Sequence, residues 1–145
     1  MEAVVRTTLE VRWGECDPAG IVYHPAYIDW FSVARMRFLK ANGVSYMEEF
    51  HDSGVVLVVL EATCRYTKTL RAEDEVTIAA QLVERSRTRL ALTYDVFNAE
   101  AELCATGRTE HAFVDMQTNR AVNLGRKAPR LWELLLTLPM SENPA

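Results

Sequence analysis

Between residues 4 and 13 apolar and polar positions alternate, with Val5, Thr7, Leu9 and Val11 on one side. That is the period of a strand. The pattern breaks over residues 14–25, where Asp17-Pro18, Gly20 and Pro25 predict a loop. The period then lengthens. From residue 25 to 42, Tyr27, Ile28, Phe31, Ala34, Arg35, Phe38 and Leu39 recur at helical spacing and form one broad, mostly apolar face. Pro25 suits a first helical position, and Asn42-Gly43 is a natural stop. Asp29 stands near the positive end of this helix, with Arg37 and Lys40 near the negative end, as its dipole prefers. Residues 44–50 predict one further short helix. From Val55 onward the period is two again, which predicts strands over 55–66, 75–84, 88–97 and 103–116. Residues 127–138, with Leu131, Trp132, Leu134 and Leu135, predict a short C-terminal helix.

The order is therefore strand, long helix, then four strands. Short connections make the late strands antiparallel neighbours. A single amphipathic helix must bury its face against another element, and a curved five-stranded antiparallel sheet wrapped around it satisfies that need. The expectation is one α+β domain over residues 1–145, with no internal repeat or linker. Such a sheet leaves an edge and part of a face open, which predicts a homo-oligomer.

Composition excludes several other classes. Hydrophobic residues make up 49% of the 145, enough for a core of ordinary size. No stretch approaches the ~20 apolar residues that span a bilayer, and the first residues lack a charged-then-apolar leader. A cytoplasmic protein with no membrane partner is expected. The net charge of −4 argues against a general nucleic-acid binder. Cys16, Cys64 and Cys104 are an odd number with no CxxC spacing, which argues against a disulfide framework or a zinc site. No metal is expected. Arginine outnumbers lysine thirteen to three, and its planar fork suits phosphate and carboxylate groups.

The chemistry concentrates in the loop before the long helix, Trp13-Gly14-Glu15-Cys16-Asp17-Pro18-Ala19-Gly20-Ile21-Val22-Tyr23-His24-Pro25. Unpaired backbone N–H groups at a helix start polarise a carbonyl or hold an oxyanion. A carboxylate beside them, such as Asp17, can serve as base or nucleophile on an acyl group. Taken alone, an Asp before Pro is a turn former. The residues around it change that reading. The run from Asp17 to Pro25, followed by Tyr27 and Trp30-Phe31, resembles the signature of the 4-hydroxybenzoyl-CoA thioesterase family, which includes the Tol-Pal-associated acyl-CoA thioesterases. The resemblance is specific over residues 13 to about 40 and looser afterwards.

The resemblance implies a hotdog fold, a long central helix wrapped by the five-stranded sheet. It also implies hydrolysis of a small acyl or aromatic acyl-CoA, with coenzyme A as part of the substrate and no separate cofactor. Asp17 falls on the family's catalytic aspartate. The carbonyl-polarising N–H falls on His24 or on Tyr23, and the His24 ring is a further candidate in the Tol-Pal branch. The implied assembly is a homodimer with sites at the subunit interface, often paired into a tetramer. Alternatives within the fold are a dehydratase-like protein acting on acyl carrier protein thioesters, or a non-catalytic acyl-CoA-binding subunit.

Other candidates are weaker. Arg85, Arg87 and Arg89 alternate and on one strand would share a face, giving either a clamp for the phosphates of coenzyme A or a charged sheet edge. Arg126, Lys127 and Arg130 form a second basic cluster. Cys16 adjoins the site but has no partner base in the sequence, so a small buried hydrophobe is expected. Asp29 reads as a solvated first-turn residue, and His51 and His111 as surface or hydrogen-bonded polar groups. Tyr23, Tyr27 and Trp30 are candidates for an acyl pocket, although at this spacing they are more often core.

Overall fold

A computed structural model describes residues 1–143. The chain runs β1 (Val4–Glu10), α1 (Pro25–Ala41), β2 (Val55–Tyr66), β3 (Glu75–Arg85), β4 (Arg89–Phe97), β5 (Leu103–Asp115), α2 (Leu124–Lys127) and α3 (Pro129–Leu136). The five strands form one antiparallel sheet in the order β1-β3-β4-β5-β2. β1 and β2 flank α1 in sequence yet lie at opposite edges, so the helix crosses the concave face between them. This is the hotdog arrangement the resemblance implies; the expectation that the four late strands are successive neighbours holds for β3, β4 and β5, whereas β2 pairs with β5 at the far edge and not with β3.

The alternation read from β1 is real: Val5 and Thr7 are buried, while Arg6, Thr8 and Glu10 face solvent. Register then carries the inward side through the sheet. Ile78, Ala80 and Leu82 of β3 meet Leu92, Tyr94 and Val96 of β4, which meet Ala105, Gly107 and Thr109 of β5. Tyr27, Trp30, Phe31, Ala34, Phe38 and Leu39 of α1 cover this layer. The Phe31 ring stacks on Tyr94 with centroids 4.5 Å apart. Gly107 allows that approach, since a Cβ there would collide with Phe31. Asn42 ends α1, its amide donating to the carbonyls of Leu39 and Lys40, and Gly43 follows at φ 86°.

Three further details differ from expectation. β1 stops at Glu10, and a 3-10 turn over Trp13–Glu15 leads into the loop. The short element after α1 is one π-type turn, Tyr46–Phe50, followed by a 3-10 turn. The C-terminal helix is split: Ala128 leaves helical geometry and Pro129 opens α3, because a residue before proline is pushed out of the α region.

β2 is unusual. It is an edge strand of 12 residues, mostly apolar, yet Val59 is 51% and Leu60 48% exposed. α1 packs chiefly against β1 and β3, leaving the inward side of β2 largely uncovered. No helix among the described residues is long and apolar enough to cross a membrane.

Candidate active site

The loop between β1 and α1 is built from short-range hydrogen bonds. Asp17-Pro18-Ala19-Gly20 is a tight turn in which the Gly20 amide donates to the Asp17 carbonyl at 2.9 Å, with Gly20 at φ 81°. The Asp17 carboxylate accepts from the Ala19 amide at 2.8 Å, an Asx turn that fixes its direction. Isolated bridges join Cys16 to Val22 and Ile21 to Arg71. The second of these holds the loop against the segment before β3.

His24 precedes α1, and the 17 residues of the helix follow from Pro25, which carries no N–H. The Tyr23 amide donates to the Glu15 carbonyl at 2.8 Å. The His24 amide has no acceptor among the described residues. Of the two residues on which the polarising N–H was expected, Tyr23 is thereby corrected out: its amide is spent inside the loop, and its ring is what lies at the site. Among the described residues, the uncommitted backbone donor at this helix end belongs to His24.

Asp17, Tyr23, His24, Tyr27 and Tyr66 line one pocket of about 430 Å³, together with residues 67–69. The Tyr66 hydroxyl donates to the His24 carbonyl at 3.1 Å, and its ring meets Tyr27 edge-on with centroids 4.8 Å apart. Burial, helped by the adjacent Cys64 thiol, pushes the Tyr66 phenol up to about 12, so it keeps its proton at neutral pH. The Tyr23 and His24 rings lie 4.5 Å apart at the rim. Lys68, also at the rim, pairs with Glu102. The residues around the pocket thus include a carboxylate, a helix-end N–H, an imidazole and several aromatic rings. That set can polarise an acyl carbonyl and deliver a nucleophile to it.

Glu15 carries the deeper part of the frame. It is 8% exposed, and its carboxylate accepts from the Arg12 amide at 2.8 Å, the Arg12 guanidinium at 3.2 Å and the Trp30 indole N–H at 2.8 Å. Burial by itself would raise this carboxyl, but those donors outweigh it and hold it below its usual range. Arg12, Glu15, Tyr23 and Asp29 border a neighbouring cavity of about 460 Å³, where Asp29 is exposed as expected.

The arginine trio needs correction. Arg85 ends β3 and Arg89 begins β4, so Arg87 sits in the hairpin turn between them and the three do not share a strand face. Arg85 donates to the carbonyls of Leu135 and Leu138 at 3.1 and 3.0 Å, capping the end of α3. Arg87 lies 5.7 Å over the Trp132 ring. Arg89 alone of the three is exposed with no side-chain partner among the described residues. In the second basic cluster, Lys127 pairs with Asp115 at 3.0 Å, and Arg126 and Arg130 are exposed.

Of the remaining candidates, Cys16 is half-buried and reaches only the Arg12 carbonyl. His51 is exposed beside Asp52 at 3.4 Å. His111 is fully buried and bonds Thr109 at 2.7 Å, in a chain that continues through Tyr94 to Arg35. Among the described residues no cluster of three or more His, Cys, Asp or Glu side chains forms a metal site. Sequence reading missed Glu15 and Tyr66 as parts of the site. Tyr66 acts on His24, 42 residues away, and Glu15, though bonded locally to Arg12, meets Trp30 only once α1 has packed.

Residues 11–131 match the model of the Thioesterase-like superfamily. A putative esterase of Aquifex aeolicus is 35% identical over 104 residues, 72% of this chain and 80% of that protein. A putative acyl-CoA thioesterase of Bacillus subtilis, YneP, is 25% identical over 126 residues, 87% of this chain and 91% of that protein. Among solved structures, a DHNA-CoA thioesterase from Staphylococcus aureus superposes with a TM-score of 0.86 at 29% identity, covering 92% of this chain and 89% of that one.

Proposed function

The chain belongs to the Thioesterase-like superfamily, and on that premise we propose that it hydrolyses a small acyl or aromatic acyl-CoA to the free acid and coenzyme A, with Asp17 as the catalytic carboxylate. It is a thioester hydrolase, in keeping with relatives that bear acyl-CoA thioesterase names. The observation that supports the residue assignment is that Asp17 and His24, whose amide has no acceptor among the described residues, line one pocket at the start of a 17-residue helix.

The thioester carbonyl oxygen accepts from the His24 N–H, where the helix dipole favours the negative charge that develops on it. Asp17 then acts in one of two ways. It attacks the carbonyl carbon, expelling the coenzyme A thiolate and leaving a mixed anhydride that water cleaves; or it takes a proton from a water that attacks directly. The thiolate is the leaving group in both. The His24 ring, at the rim, orients the substrate or the water. Arg89 remains available for a phosphate of coenzyme A. Arg85 and Arg87 are the less suited, being held by α3.

The exposed apolar edge of β2 supports a homo-oligomer: a second copy pairing there would extend the sheet and cover Val59 and Leu60. Coenzyme A thioesters are intracellular metabolites, which supports a cytoplasmic enzyme.

The test is thiol release from short-chain, long-chain, benzoyl, hydroxybenzoyl and phenylacetyl CoA thioesters, with Asp17→Asn in parallel. Asparagine keeps the oxygen that accepts from Ala19, so the loop should hold while kcat falls at least ~100-fold. Turnover that survives the substitution would remove Asp17 from the chemistry. A folded wild type that releases thiol from none of these esters would favour a carrier-protein thioester or a binding subunit.

A further inference from the structure

Glu15 has no part in the reaction above, yet it is the most heavily bonded carboxylate of the region. Its side chain joins the segment just after β1, through Arg12, to the second turn of α1, through Trp30. Its backbone carbonyl takes the amide of Tyr23, the residue before His24. Asp17 follows two residues later. The loop bonds that leave Asp17 itself run to Ala19, Gly20 and Ile21, within the loop. Hydrogen bonds from the Asp17 side of the loop to α1, at Trp30, and to Tyr23, the residue before His24, therefore pass through Glu15.

We infer that Glu15 is the positioning residue of this site: it sets the Asp17 carboxylate against the His24 amide by fastening the Asp17 loop to the helix that begins after His24. The inference rests on the proposed roles of Asp17 and His24. Two groups that must meet one carbonyl have to be held within about 0.5 Å of productive geometry, and the loop's other outside anchors, Ile21 on Arg71 and Val22 on Leu70, tie it to the segment before β3 and not to the helix. Glu15 also takes up the Tyr23 amide, which leaves that of His24 as the backbone donor without an acceptor, among the described residues, at this helix end. A carboxylate accepting charge-assisted bonds from three donors is stiff enough for this.

The experiment compares Glu15→Gln and Trp30→Phe with wild type on the best substrate of the panel, recording kcat, KM, the melting temperature and amide hydrogen exchange by mass spectrometry. Glutamine keeps the shape but turns one acceptor into a donor facing donors. Expected are a fall in kcat of about 10- to 100-fold in Glu15→Gln with KM within about twofold, and faster exchange confined to residues 16–24. Glu15→Gln should add nothing further in an Asp17→Asn background. Trp30→Phe, which leaves the carboxylate in place and removes one donor, should show a smaller loss of the same kind and covers the case of a Glu15 variant that does not fold. Unchanged kcat with a lowered melting temperature in both variants would overturn the inference, as would full additivity with Asp17→Asn. If Asp17→Asn keeps its turnover, or wild type has none, the functional reading fails by itself. Exchange then still decides: unaltered protection of residues 16–24 overturns the role of Glu15, and selective loss sustains it.

Discussion

The hydroxyl of Tyr66, last residue of β2, donates to the carbonyl oxygen of His24, the residue before α1, at 3.1 Å. The bond joins positions 42 residues apart. It braces one side of the His24 residue, whose amide on the other side is the donor offered to the pocket. Tyr66→Phe keeps the edge contact with Tyr27 and removes only this bond. We expect kcat to fall about 3- to 10-fold, matching the net worth of one hydrogen bond, with KM little changed. Steady-state kinetics on the preferred thioester would check this, and an unchanged kcat would mean the brace is idle.

His24 offers a backbone N–H and a ring, and His24→Ala separates them. Alanine keeps the amide that polarises the carbonyl. The expected loss in kcat is at most about tenfold, far below that of Asp17→Asn. A loss equal to that of Asp17→Asn would transfer the main role to the imidazole.

His111 is wholly buried, and burial first, with the nearby Arg35 cation second, lowers it from 6.5 to about 4. The folded state therefore refuses a proton that the unfolded chain accepts. Stability is fully present above pH 6.5, declines as the pH falls, and levels off below about 4, a total of roughly 3 kcal/mol. Glu15, Glu102 and Asp115 are lowered carboxylates, whose contributions are lost only below about 4.5. Urea unfolding at pH 7, 6, 5 and 4.5 should show the decline. His111→Gln should flatten it between 6.5 and 4.5, and a wild type that is equally stable across that window would contradict the burial argument.

Gly107 lies beneath the Phe31 ring with no room for a side chain. Gly107→Ala should destabilise the fold by about 2 kcal/mol, an overpacking penalty, read as a lower urea midpoint at constant slope. The neighbouring Thr106, on the other face of β5, should tolerate alanine far better.

Leu60 sits at a bulge in β2, where register slips between Val59 and Glu61. A charge there would oppose pairing along this edge. Sedimentation of wild type should give a dimer or larger, and Leu60→Lys should shift it toward monomer. A wild type that sediments as a monomer would refute the edge-pairing proposal.

Much of this fold was legible along the chain. β2 was bounded correctly at 55–66 and α1 to within a residue, because period and punctuation are local properties: alternation buries one side of a strand, and Pro25 and Asn42-Gly43 delimit a helix whatever lies around them. Where local pattern was asked to speak for three dimensions it failed. Arg85, Arg87 and Arg89 alternate in sequence, but a turn falls between them, and the acceptors for Arg85 come from the end of α3 and the residues just after it, some 50 residues away. His111 offered no pattern at all, since its environment is assembled from β4, β5 and α1.

The site divides in the same way. The sequence alone placed Asp17 and His24 on either side of one loop before a long helix, because adjacent residues cannot be far apart. The tertiary structure decided that Tyr23 spends its amide on Glu15, that His24 keeps its own, and that Tyr66 and Trp30 brace the two ends of the frame. Each of those is a matter of which donor finds which acceptor once the helix has packed on the sheet. Hydrogen bonds act over about 3 Å, a distance that sequence separation does not encode.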